Sequence, residues 1–253
     1  MMSNHLKFIN LAHDVASKNL GKTFPNPTVG CVISKNNIII SKAVTSATGR
    51  PHAEEIALKK AGKKAKGAIM YVTLEPCFHN SQNGSCADQI LRSGINKIYI
   101  SCIDEDPRTK KKSISKLKKN KIKVITGIEK DKTISVNNFY FKSLKKKKPF
   151  TKVKMAISND NKIAWSNYKS KWISNSKSRA YVHSLREKTQ AILTTSKTIL
   201  IDNPRFTVRK KNKIIKNLNV IIIDKNLNIP LNINLLKNLH ERRVIIFTSK
   251  KNN

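Results

Sequence analysis

Acidic side chains are scarce in this chain. Its 253 residues carry 15 Asp and Glu against 51 Lys and Arg, a net charge of +36. So basic a chain invites a nucleic-acid reading, but composition supplies a plainer cause. Lys, Ile and Asn, whose codons can be built from A and T alone, make up 101 of the 253 residues. Drift in base composition would produce that excess with no partner to select it. The lysines are also spread along the chain, with local concentrations only at 116–123 and 145–148. Non-specific adhesion at low salt is expected; a specific nucleic-acid partner is not. Cysteine is equally sparse, at Cys31, Cys77, Cys86 and Cys102. Four could close two disulfides, but in a long chain with no secretory character metal binding or burial is the expectation. With 8 Gly, 8 Pro and 39% hydrophobic residues, the composition excludes a disordered chain. No apolar run approaches the roughly 20 residues that span a bilayer. The first twenty residues lack the apolar stretch and cleavage site of a secretory signal. A cytoplasmic protein with no membrane partner is expected, long enough for one large or two modest domains.

What is present is an alternation of helix and strand patterns. Leu6, Ile9, Ala12, Val15 and Ala16 form a helical stripe closed by Gly21. "CVIS" and "IIISKAV", joined by Asn-Asn, read as a β-hairpin. A helix over 52–61 stops at Gly62. "AIMYVTL", "KIYIS" and "IKVITG" read as strands, separated by the short helix "CADQILRS" and a lysine-rich helix near 113–120. This alternation predicts a mostly parallel sheet with helices on both faces. The charged run at 142–149 marks the domain boundary. Beyond it the pattern restarts with strand "FTKVKMAIS", a helix over 174–188 capped by Ser174 or Asn175, and strands "AILTT", "NVIIID" and "RRVIIFTS". There is no internal repeat.

Chemistry concentrates in "PHAEEIAL" and "TLEPCFHNSQNGSC". Cys31 and Cys102 lie in apolar, strand-like runs and read as small buried hydrophobes. Cys77 and Cys86 have Pro, Asn, Ser and Gly neighbours instead. A catalytic zinc takes three protein ligands and keeps a fourth position for water. His52, Cys77 and Cys86 supply that number and softness of donors. Both Pro-His and Pro-Cys are expected where a loop turns into a helix, so that a helix N-terminus favours the Cys77 thiolate. Glu54 follows His52 by two residues, and i and i+2 diverge on a regular helix. His52 must therefore sit at the helix start for both to face one ion. Glu54 would then take a proton from the attacking water and return it to the leaving amine. H-x-E followed by P-C-x-x-C is the zinc deaminase pattern; here eight residues, not two, separate the cysteines.

On these residues, and on "PNPTVGCVI", "KGAIMYVTLEPC", "SKWIS" and "LREKTQAILTTSKTILIDNPRFTVR", the whole chain resembles the bifunctional deaminase–reductase family of riboflavin biosynthesis. The resemblance implies an α/β fold: a cytidine-deaminase-like αβα domain over 1–144, then an incomplete dihydrofolate-reductase-like α/β domain over 149–253. It implies zinc at His52, Cys77 and Cys86, with Glu54 as proton carrier, and hydrolytic deamination of a phosphorylated diaminopyrimidinone. In the second domain it implies substrate contacts from Ser170, Arg186, Phe206 and Arg209. NADPH contacts would come from Ala156, Trp172, Thr198 and Asp202, and a homodimer is implied as well. The family's reductase domain runs past position 253, so this chain is expected to deaminate but to reduce poorly. Thr45 stands where the family has histidine, and the loop between the cysteines lacks the family's Arg and Pro. Two other readings compete. A nucleoside or tRNA deaminase would share the zinc chemistry but not the second half. A decayed, non-catalytic basic protein would bind zinc without turnover.

Overall fold

The computed structural model describes residues 2–79, 84–167, 173–211 and 213–249. The chain divides into two compact units, Met1–Thr151 and Lys152–Asn253.

The first unit runs α1 (Met2–Ser17), β1 (Gly30–Lys35), β2 (Ile38–Val44), α2 (Ala53–Ala61), β3 (Ile69–Leu74), α3 (Cys86–Ser93), β4 (Lys97–Cys102), α4 (Lys112–Lys119), β5 (Lys123–Thr126), α5 (Lys130–Val136) and α6 (Asn138–Lys146). Its sheet has the order β2-β1-β3-β4-β5. The β1–β2 hairpin and the β1–β3 pair are antiparallel, whereas β3, β4 and β5 run parallel. Side chains two apart share a sheet face, and this divides the core cleanly. Cys31, Ile33, Met70, Val72, Ile98 and Ile100 pack with Ala53, Ala57, Ile90, Ile114 and Leu117 of α2, α3 and α4. The intervening Val32, Tyr71 and Tyr99 pack with Phe8, Ile9 and Ala12 of α1 on the other face. The inner strands β1, β3 and β4 are buried on both sides, which is why they read as continuous apolar runs. Asn137, at the α5–α6 junction, holds both backbone groups of Thr28: its side chain accepts from Thr28 N (2.8 Å) and donates to Thr28 O (3.0 Å).

α1 lies against β1 at Gly30. A Cβ there would sit 1.9 Å from the Ala12 carbonyl oxygen, a backbone atom that cannot swing aside. Gly30→Ala is therefore expected to cost about 3 kcal/mol or more, read as a drop in urea midpoint at unchanged m-value.

His13 of α1 is buried, with Nε2 3.2 Å from Ser101 Oγ. Burial, helped by the nearby Lys132 ammonium, lowers its pKa from 6.5 to about 4. A group depressed in the fold binds fewer protons than it does unfolded. Stability is thus present above about pH 6.5 and is lost as pH falls toward 4, by up to about 3 kcal/mol. In chelator, so that no metal contributes, urea unfolding at pH 7 and pH 4 should show this loss in the parent and a smaller one in His13→Gln.

The second unit comprises α7 (Ser176–Glu187), β6 (Ala191–Thr195), α8 (Ser196–Asp202), β7 (Thr207–Lys210), β8 (Lys213–Asn217), β9 (Asn219–Ile223) and β10 (Val244–Phe247). Strands β10-β9-β6 form a parallel sheet, and β7 and β8 an antiparallel pair. Ile199, Val220, Ile222, Ile233 and Leu235 make its core. Asn175 is the cap of α7, accepting from Ser178 N at 2.8 Å. The strand expected at 150–158 does not form. Val153, Met155 and Ile157 alternate as a strand would but stand exposed. A strand needs a neighbour to take its N–H and C=O groups, and no described strand pairs with it. The charged run is also not all linker: α6 extends through Lys146, and the change of unit follows Thr151. No described helix is long and apolar enough to cross a membrane.

Candidate active site

The carboxyl end of β3 and the starts of α2 and α3 bring the site together. His52 is the N-cap of α2, with extended backbone (φ −71°, ψ 161°), and the helix begins at Ala53. This placement frees His52 from helical divergence, so it and Glu54 can serve the same centre. Cys86 is the first residue of α3, fixed by a capping box. Ser85 Oγ accepts from Asp88 N at 3.1 Å, and Asp88 Oδ2 accepts from Ser85 N at 3.3 Å. That S-x-x-D signal is legible in "SCAD". Cys77 is not at a helix start; it lies in the loop after β3. The helix effect reaches it from α3 instead, because Cys86 N–H donates to Cys77 Sγ at 3.3 Å.

One ligand atom each from His52, Cys77 and Cys86 lies within 4.8 Å of the others. His52 Nδ1 is 3.3 Å from Cys86 Sγ. Ligands about 2.0–2.3 Å from a tetrahedral zinc are about 3.5–4 Å apart, so this set fits the ion with little adjustment. The chemistry fits as well. Hydrogen bonds from the Cys86 side chain, from His52 and from Cys86 N–H outweigh burial and lower the Cys77 pKa from 9.0 to about 4. A ready thiolate is what a soft cation takes. Burial presses His52 down, but its hydrogen bond with Cys77 and the Glu54 charge leave its pKa raised. Glu54 is 3% exposed, and burial lifts it to about 7 against the pull of His52. A divalent ion would draw it back down. Cys31 and Cys102 are buried in β1 and β4, apart from this cluster.

The sequence pattern gave no warning of Glu75. Its Oε1 accepts from Ser113 Oγ (2.8 Å) and its Oε2 from Lys111 N (3.0 Å) and Asp104 N (3.3 Å). It ties the loop carrying Cys77 to the β4–α4 connection. In that connection Asp104 accepts from Tyr140 Oη at 2.9 Å, and Asp106 is gripped by Arg108. An acid beside P-C reads as a loop residue until its partners, 29 to 38 positions away, are known. Thr45 is buried, with its hydroxyl accepting from Val29 N at 3.1 Å.

In the second unit, Arg186 of α7 lies over the Phe206 ring, 6.0 Å from its centroid. Burial, then the neighbouring charge of Arg209, lowers the Arg186 pKa. Arg209, on β7, is exposed, and its Nε donates to Thr207 Oγ1 at 3.2 Å. Thr198 and Asp202 stand four apart on α8 and so share a face. Ala156 is itself half-buried but lies in an irregular, largely exposed stretch. Ser170 and Trp172 lie outside the described residues.

Comparison with known proteins agrees with both halves. The family described as "Cytidine and deoxycytidylate deaminase zinc-binding region" matches residues 2–102, and that described as "RibD C-terminal domain" matches 149–253. Riboflavin biosynthesis protein RibD of Aquifex aeolicus is 37% identical over 249 residues, covering 97% of this chain and 68% of the relative. That of Buchnera aphidicola is 40% identical over 205 residues, covering 81% and 55%. The structure of Acinetobacter baumannii RibD superimposes with a TM-score of 0.89 at 31% identity, over 99% of this chain and 71% of that one. A Thermotoga maritima diaminohydroxyphosphoribosylaminopyrimidine deaminase/5-amino-6-(5-phosphoribosylamino)uracil reductase gives 0.88 at 34%, over 98% and 71%. The chain thus spans between about half and just over two thirds of these relatives' lengths. A zinc-type deaminase half joined to a reductase-type half, in one order and with one set of signature stretches, places this chain in the RibD family of bifunctional riboflavin-biosynthesis proteins.

Proposed function

We propose that the first unit hydrolytically deaminates 2,5-diamino-6-(5-phosphoribosylamino)pyrimidin-4-one. The observation that carries this reading is the convergence of His52, Cys77 and Cys86 within 4.8 Å, with the buried Glu54 two residues on from His52. The Thermotoga relative's description supplies the substrate class. His52, Cys77 and Cys86 would hold a zinc ion, which when bound would make the attacking water more acidic. Glu54 would accept a proton from the attacking water as its oxygen adds to the ring carbon bearing the amine. Glu54 would pass that proton to the neighbouring ring nitrogen and then carry the added hydroxyl's proton to the amine, so that the C–N bond breaks, ammonia leaves and a carbonyl remains. Burial of Glu54 keeps bulk water from exchanging that proton, and His52 as N-cap fixes the geometry without straining the helix.

For the second unit we propose the family's sugar-phosphate role. Arg186 and Arg209 would hold the phosphate, since guanidinium forks match phosphate oxygens. NADPH would lie along Ala156 and the Thr198–Asp202 face of α8. The deaminase reading is tested by incubating zinc-loaded protein with the pyrimidinone and measuring ammonia. Stoichiometric ammonia and uracil product are expected. One zinc per chain with no ammonia overturns the reading in favour of a non-catalytic basic protein.

A further inference from the structure

Only 9 of the 51 cationic side chains are arginine. Two of these, Arg186 and Arg209, stand near enough for the charge of one to disfavour that of the other, and Arg186 is half-buried. Among the described residues neither has a carboxylate partner. Like charges held near one another, one of them partly withdrawn from water, repel, and an anion between them would relieve that repulsion. Something must also hold the two guanidiniums together against their repulsion, because one is on α7 and the other on β7.

His183 spans that gap. It lies three residues before Arg186 on α7, on the same helical face. Its Nδ1 accepts the backbone N–H of Arg209 at 3.1 Å. The donor is a backbone amide, so Nδ1 must be unprotonated and the ring's hydrogen must be on Nε2. The bond falls at the register irregularity between Val208 and Arg209, where the regular β7–β8 pairing is interrupted. Just before it, Phe206 turns the chain through a left-handed conformation (φ +44°) and sets its ring under Arg186. We propose that His183 is a positioning residue for phosphate binding in the second unit: its Nδ1 fixes the Arg209 backbone so that the Arg186 and Arg209 side chains close on one phosphate monoester. Burial, and after it the charges of Arg186 and Arg209, depresses the His183 pKa, in keeping with a ring in the accepting form. This inference rests on the reading of Arg186 and Arg209 as phosphate ligands.

The test titrates ribose 5-phosphate into the full chain at fixed salt and follows the backbone amide resonance of Arg209. His183→Ala should weaken the apparent affinity about tenfold, the size of one lost hydrogen bond. His183→Asn places an amide oxygen where Nδ1 was and should recover affinity to within about twofold of the parent. His183→Gln reaches only the Nε2 position and should not. Parent-like binding by His183→Ala, or equal rescue by Gln and Asn, overturns the proposal. So does a loss of melting temperature in His183→Ala with no change in affinity, which marks a purely structural bond. If His183→Ala does not fold, the Asn and Gln variants decide alone. Arg186→Met and Arg209→Met separate the two readings. If they abolish binding while His183→Ala does not, only the histidine's role falls. If they leave binding intact, the phosphate reading falls and this proposal with it.

Discussion

Glu54→Gln should reduce ammonia release by at least about a thousandfold while zinc stays at one per chain. The substitution is nearly isosteric and leaves Glu54 out of the ligand set, which His52, Cys77 and Cys86 complete. What it removes is the ability to accept and return a proton. General acid–base catalysis contributes about 10²–10⁴-fold, and here one group serves both transfers, which argues for the upper part of that range. A thousandfold loss is about 4 kcal/mol of transition-state stabilisation. The carboxylate has few substitutes, because Glu54 is 3% exposed and solvent cannot readily take its place. Its pKa, lifted by burial to about 7, suits proton exchange near neutral pH. Turnover above a tenth of the parent rate, with zinc bound, would remove Glu54 from the mechanism. Loss of zinc instead would show that it holds the site together.

Cys86→Ala should have the largest effect on the protein as a whole. Three donors hold the ion, and removal of one thiolate leaves a pair that zinc rarely accepts in preference to water. Zinc content measured by mass spectrometry should fall from one per chain to near zero, and deamination should vanish. Stability should fall as well. If zinc is present at about a thousand times its dissociation constant, binding stabilises the folded chain by about 4 kcal/mol. For a protein of this size that corresponds to about 10 °C in melting temperature. The variant should therefore melt about 10 °C below the zinc-loaded parent and close to the parent in chelator. It also loses a partner of Cys77, whose pKa depends first on Cys86, so the remaining thiol becomes a poorer ligand. Cys31→Ala and Cys102→Ala serve as controls. Both residues are buried in strands, and burial raises both their pKa values, so neither is poised to bind metal. Retained zinc in Cys86→Ala, or lost zinc in Cys31→Ala at unchanged fold, would mean that the ligand set is wrong.

Much of the candidate site can be read from the chain because its chemistry is local. His52 and Glu54 are two apart, Cys77 follows a proline, and Cys86 opens a helix. Four residues of three types at those spacings already specify donor softness and ligand number, and point to an acid as the proposed proton carrier. The alternating strands and helices of the first unit are legible for the same reason: side-chain period and stop signals act within a few residues. The exposed stretch at 150–158 shows the limit of such reading. Its alternation is that of a strand, yet strand formation depends on a neighbour's hydrogen bonds, which no local pattern contains.

The sequence by itself therefore determined the kind of metal site, the acid proposed as its proton carrier, the two-part organisation and the family. Only the tertiary structure decided that Cys77 takes its helix-end hydrogen bond from Cys86, that Glu75 braces the loop through partners far along the chain, and that His183 joins α7 to Arg209. The physical reason is common to all three. Each depends on which backbone N–H or hydroxyl comes within about 3 Å of an acceptor, and that proximity is created by the packing of separate elements rather than by the order of residues within any one of them.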